Sequence, residues 1–159
     1  MKRLGLLLSM VMSLAPLTCA QHELAMPNHA IGTFDVKVAP QPADGSAGGP
    51  FGRFVLDKHF HGSLDATSEG TMLGAGTAVE GSGAYVAFEL VSGTLDGKRG
   101  SFILQHVGTM QRNVPTMVVT VVPDSGTEQL TGLTGRMKII IEGGKHSYDL
   151  EYSIGGGAG

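Results

Sequence analysis

The chain has 159 residues, of which 42% are hydrophobic and 16% charged, and its formal net charge is −3. This is the composition of one globular domain, and the lack of any basic patch argues against nucleic acid or an anionic membrane surface as partner. Glycine, at 25 residues, is the outlier; it is scattered at turn positions rather than periodic, which predicts many short strands joined by tight turns.

In chain order, the first expected element is an export signal over residues 1–20. Lys2 and Arg3 supply the positive start, Leu4 to Leu17 the apolar run, and Thr18-Cys19-Ala20 a small-residue cleavage site that would leave Gln21 as the new first residue. A membrane anchor is the competing reading, but the run has about 14 residues, whereas spanning takes roughly 20. A lipid-bearing Cys19 would want Gly, Ala or Ser before it, and Thr18 fits that pattern poorly. The expected product is soluble, periplasmic or secreted, without stable membrane insertion. Cys19 is the only cysteine, so the mature domain has no disulfide and its core alone must stabilise it. A domain of about 140 residues can bury enough apolar surface for that. Without Lys2 and Arg3, nine basic side chains face 14 acidic ones, a net charge of −5.

Residues 21–30 are expected as a flexible leader and 155–159, Gly155 to Gly159, as a disordered tail. The domain between them, residues 31–154, shows no sustained helical periodicity. Strand-like segments recur instead, at 31–38, 53–61, 65–73, 84–92, 99–109, 116–122, 136–142 and 145–153, with a loop at 40–50 from Pro40 to Pro50. The expected class is all-β, and about eight antiparallel strands in one small domain predict a single closed barrel, which removes exposed edges.

Three hairpins can be registered. The first, from 53 to 73, turns through Gly62–Leu64, which sets Phe54 opposite Met72, Phe60 opposite Ala66 and Lys58 opposite Ser68 on one apolar face. Its reverse face collects Arg53, Asp57, His59, His61, Asp65, Thr67 and Glu69. The second turns at Asp96-Gly97. One of its faces carries Val86, Phe88, Leu90, Ile103, Gln105 and Val107; the other carries Tyr85, Ala87, Glu89, Val91, Phe102, Leu104 and His106. The first face has no ionisable group and is assigned to the interior, although Phe102 and Leu104 then need cover from outside. The last hairpin turns at Gly143-Gly144. It pairs Glu142 with Lys145, Lys138 with Asp149 and Arg136 with Glu151, all opposite charges on one face. Met137, Ile139, Ile141, His146, Tyr148, Leu150 and Tyr152 form the interior face, and a slip of one residue would break both patterns.

Most catalytic signatures are missing: there is no G-x-S-x-G elbow, no Walker loop and no cysteine for thiol or zinc chemistry. Gly74-x-Gly76 lacks the third glycine and following helix of a dinucleotide fingerprint. No cofactor is expected. His59-Phe60-His61 with Asp65 has a metal-like spacing, but both histidines fall on the outer face, and a solvated polar face beside a turn is the favoured reading, so no metal is expected. The candidate ligand-binding residues are the inward polar ones, Lys58, Ser68, Gln105, Tyr148 and Tyr152, joined inside by His146. A buried lysine is costly unless paired, and an unpaired one can become a base or imine former; near a barrel mouth it would instead reach water with its amine. The tyrosines read as core aromatics with a hydroxyl at the rim. No residue is assigned a catalytic role.

The run Ser125-Gly-Thr-Glu-Gln-Leu-Thr-Gly-Leu-Thr-Gly135 resembles the turn that allene oxide cyclases and plant dirigent proteins carry before a late strand. Over residues 30–154 the chain is more similar to a bacterial family known only as a domain of unknown function with the same barrel. That resemblance lies in Gln41-Pro42, Leu56-Asp57-Lys58, Phe60-His61-Gly62, Ser68-Glu69-Gly70-Thr71-Met72, Gly76-Thr77-Ala78-Val79-Glu80-Gly81, Gly100-Ser101-Phe102-Ile103-Leu104-Gln105-His106 and Gly143-Gly144-Lys145-His146. It implies an allene oxide cyclase-like, eight-stranded barrel with a mostly apolar cavity for small hydrophobic molecules. The catalytic acid of the cyclases matches no residue here, and their short helical C-terminus has no counterpart in Gly155 to Gly159, so neither catalysis nor trimer formation transfers.

The leading functional reading is an exported barrel that binds a small, mainly apolar molecule in its interior. The alternatives are a cyclase or isomerase acting in the cavity, using Lys58 or the tyrosines, and a filled barrel acting through its surface. A homo-oligomer stays open. Interior volume separates the filled barrel from the others, and the small residues Ala66, Ser68 and Gly70 favour open space.

Overall fold

The computed structural model describes residues 27–42 and 51–155. The expected export signal, most of the leader, residues 43–50 of the loop after the first strand and the last four residues lie outside the described residues.

Eight strands close into one antiparallel barrel in which each strand pairs with its neighbours in sequence. They are β1 (Asn28–Pro40), β2 (Phe51–Gly62), β3 (Leu64–Gly76), β4 (Gly83–Leu95), β5 (Lys98–Gln111), β6 (Val114–Val121), β7 (Leu133–Glu142) and β8 (Lys145–Ile154). Every expected segment is a strand. β1 begins three residues before its expected start, where Ala30 is fully buried and pairs with Leu150 of β8 to close the barrel.

The two outer hairpins have the register that charge and turn chemistry imply. Phe54 faces Met72, Lys58 faces Ser68 and Phe60 faces Ala66; Arg136 faces Glu151, Lys138 faces Asp149 and Glu142 faces Lys145. The turns at Asp96-Gly97 and Gly143-Gly144 place both residues at positive φ, the geometry that matches the strands' own twist.

The middle hairpin also has its expected register, with Leu95 facing Lys98, but its faces are reversed. Ala87, Glu89, Val91, Phe102, Leu104 and His106 are buried inside, while Val86, Phe88, Leu90 and Val107 are about half exposed on the outer wall, and Gln105 is exposed with them. Burying Glu89 is tolerable because β2, β3 and β5 each supply it with a partner, a compensation that no single hairpin reveals.

One end of the barrel is closed and the other open. Leu64, Leu95, Phe102, Leu130, Leu133, Leu150 and Tyr152 fill the closed end. Its plug is the connection from β6 to β7, which carries a short 3-10 turn at Glu128–Leu130. The Ser125–Gly135 run thus has a structural task. Ser125 Oγ accepts from Ile103 N at 3.0 Å and donates to Val122 O at 2.7 Å. Gly126 sits so close to the Leu130 carbonyl that no Cβ would fit. The loops at 77–82, 112–113 and 143–144 rim the open end.

Candidate functional site

Alternation along the strands brings Lys58 (β2), Ser68 (β3), Glu89 (β4) and His106 (β5) to the same level of the interior, on four successive strands. Lys58 Nζ donates to Glu89 Oε1 at 2.6 Å and Ser68 Oγ donates to Oε2 at 2.7 Å. His106 Nε2 lies 2.9 Å from Oε1, but off the line a ring N–H bond needs, so it has no aligned hydrogen-bond partner. Glu89 is 0% exposed and Lys58 6%. Room for the carboxylate comes from Gly70, which faces Glu89 across the ladder and would place a Cβ against its Cγ. The space that the small residues of β3 leave is therefore partly filled by Glu89.

Burial pushes the Glu89 carboxyl up, but the adjoining His106 and the Lys58 ammonium outweigh it and hold the group well below the ordinary carboxylate range, at about 2. Because the His106 contact is misaligned as a hydrogen bond, the aligned Lys58 is the stronger anchor. A carboxylate held so firmly ionised is a poor general base near neutral pH. Its folded value lies below its ordinary 4.5, so its contribution to stability is complete above about pH 4.5 and is lost as pH falls toward about 2. Urea midpoints measured from about pH 6 down to about pH 2.5 should therefore fall, and Glu89→Gln should flatten that acid limb. An unchanged limb in the variant would show that other carboxylates control it.

Aromatic rings surround the amine. Lys58 Nζ lies 5.0 Å from the Phe34 ring centre and 5.9 Å from that of Phe60, within cation–π range. The cluster borders an inner chamber of about 120 Å³, lined also by Val36, Leu56, Met72, Ile139 and His146. Above it the mouth widens to about 730 Å³ between Phe51, Phe54, Ala84, Met110, Pro115 and neighbouring glycines. Tyr85, Met117 and Ile141 line both spaces, so one funnel leads from solvent to the polar floor.

Of the five candidate ligand-binding residues, only Lys58 and Ser68 meet here. Gln105 is outside. Tyr148 and Tyr152 point inward as expected but serve the closed end: the Tyr148 hydroxyl accepts from Leu64 N at 2.9 Å, and that of Tyr152 donates to Asp96 Oδ2 at 2.6 Å. Burial and the Asp96 carboxylate raise Tyr152 to about 12. His146 lines the chamber, with its ring 5.0 Å from Phe34. Glu89, His106 and Tyr85 were missed by sequence reasoning because all three lie on the face assigned to solvent. The paired signal, Glu89 between inward Ala87 and Val91 and His106 following inward Leu104, is visible only once Phe102 and Leu104 are placed inside. The His59 and His61 rings lie 4.4 Å apart, tilted to each other, on the outer wall, where His61 contacts Asp35 at 3.2 Å. Among the described residues, no group of three or more His, Cys, Asp or Glu could hold a metal ion.

Comparison with known proteins places this geometry in context. A family model described as a protein of unknown function (DUF3224) matches residues 30–152. A crystal structure of a DUF3224 protein of unknown function from Shewanella oneidensis MR-1 is similar, with 45% identity and a TM-score of 0.77, covering 82% of this chain and 99% of that one. No curated protein matches.

Proposed function

Since this chain belongs to the DUF3224 family of proteins of unknown function, we propose from the barrel itself that it is an exported protein binding a small, mainly apolar molecule in its interior. The observation that carries this reading is the funnel: an apolar mouth of about 730 Å³ that narrows onto the Lys58–Glu89–His106 floor. An apolar lining with a few converging polar groups is the usual make-up of a small-molecule site, and the volume lies within the usual range for one. The likeness of the Ser125–Gly135 run to allene oxide cyclases and dirigent proteins points the same way, toward barrels that hold small hydrophobic molecules. Binding is favoured over a cyclase or isomerase because Glu89, the acid at the floor, is ionised and engaged on both oxygens rather than poised to take a proton.

Native mass spectrometry of protein purified from its host tests both parts of this reading. The expected species is a chain beginning at or near Gln21 that carries a retained small mass, which is lost on gentle activation. Recovery of a chain with Met1 intact would remove the export reading. A bare mass that no apolar additive can shift would leave a filled barrel acting through its surface.

A further inference from the structure

Resting on the reading of the mouth as a binding site, we propose that its occupant carries an uncharged hydrogen-bond acceptor, a ketone, aldehyde, ester or ether oxygen, which lies against the Lys58 ammonium while an apolar body fills the mouth. A count of donors and acceptors at the floor leads there. Glu89 is 0% exposed, and both its oxygens already accept from Lys58 and Ser68, so its carboxylate is not presented to a ligand. Ser68 is 1% exposed and gives its one hydrogen to Glu89. His106 Nε2 is buried against the same carboxylate. Lys58 differs: an ammonium has three donors, one is used on Glu89 at 2.6 Å, and the side chain lines the chamber. The imidazole of His146 and the phenol of Tyr85 border the same space. Those two can each donate or accept, so the Lys58 ammonium is the one group at the floor that can only donate, and the one carboxylate there is already engaged.

Charge then separates the three kinds of head group. An amine would bring a second cation beside Lys58 with no carboxylate to meet it. A carboxylate would place a second anion near Glu89, whose charge already balances that of Lys58, at the cost of its own hydration. A neutral oxygen takes a charge-assisted hydrogen bond and adds no charge to the chamber. The chamber of about 120 Å³ suits a head group of that size, and the mouth of about 730 Å³ suits the body.

Four probes that share one apolar body test this: butyrophenone, phenylbutyrate, phenylbutylamine and butylbenzene, titrated calorimetrically into the mature chain near neutral pH. Butyrophenone should bind roughly tenfold tighter than butylbenzene, the effect of one net hydrogen bond, and tighter than either charged probe. Its carbonyl stretch should move to lower frequency on binding. Lys58→Met alone strands Glu89, so the matched variant is Lys58→Met with Glu89→Gln, in which an amide replaces the carboxylate. In that variant butyrophenone should bind within roughly twofold of butylbenzene, and the stretch should return toward its value in an apolar solvent. Tightest binding by phenylbutyrate or phenylbutylamine, or an unshifted carbonyl in bound butyrophenone, would overturn the head-group assignment while leaving the mouth as a site. Failure of all four probes to bind would overturn the mouth reading and this inference together.

Discussion

Lys58→Met should lower the unfolding free energy by about 3–5 kcal/mol, the usual cost of removing one partner from a buried ion pair. The reason lies in Glu89, which is fully enclosed and keeps its charge through His106 and Lys58, of which Lys58 makes the aligned hydrogen bond. With the amine gone, the carboxylate must either stay ionised with Ser68 and the misaligned His106 alone, or take up a proton in the interior. Either outcome is unfavourable. Adding Glu89→Gln to the same chain should restore most of the loss, because the amide keeps a hydrogen-bond acceptor for Ser68 without an unpaired charge. Equilibrium urea unfolding of the single and double variants measures the difference. A single variant as stable as the parent would mean that the pair is not formed in solution, and the floor of the site would have to be redrawn.

Phe102→Ala should cost about 3–5 kcal/mol, whereas Phe88→Ala should change stability by no more than about 1 kcal/mol. The two phenylalanines belong to one hairpin but to opposite faces: Phe102 is 1% exposed among Leu95, Leu130 and Leu104 in the core, and Phe88 is 53% exposed on the outer wall. Truncating the first removes a filled volume that surrounding strands cannot collapse to close. Truncating the second removes only partly solvated surface. Chemical denaturation of the two variants decides the matter, and equal costs would show that the faces of β4 and β5 are wrongly placed.

Hairpin registers were legible from local chemistry. Opposite charges at Arg136 and Glu151, and at Lys138 and Asp149, leave one pairing that keeps these charges outside and Met137, Ile139, Tyr148, Leu150 and Tyr152 inside. Gly143-Gly144 and Asp96-Gly97 add the backbone conformations that two-residue turns require. The same logic placed Lys58 and Ser68 on a shared inner face, because the reverse face of β2 and β3 is crowded with charge. Tyr148 and Tyr152 were correctly placed inside, but whether their hydroxyls serve a ligand or the closed end depends on Leu64 and Asp96, which reach them from other hairpins.

The β4–β5 hairpin marks the limit of such reasoning. Its two faces are nearly matched in apolar content, so the single criterion that remained was charge, and charge misled. The outer face carries Val86, Phe88, Leu90 and Val107, with its one charged side chain, Arg99, beside the turn, whereas the inner face carries an acid and a histidine.

The sequence by itself determined a count of about eight strands, the expectation of a closed barrel and the register of three hairpins, because these follow from period-two alternation, turn residues and contacts between adjacent segments. Only the tertiary structure decided which face of the middle hairpin is buried and where the polar floor lies. Glu89 can enter the core only because Lys58 and Ser68, more than 20 residues earlier, arrive at the same level from neighbouring strands and hold it there. The energy of a buried charge is a property of its whole surroundings, and those surroundings exist only after the barrel has closed.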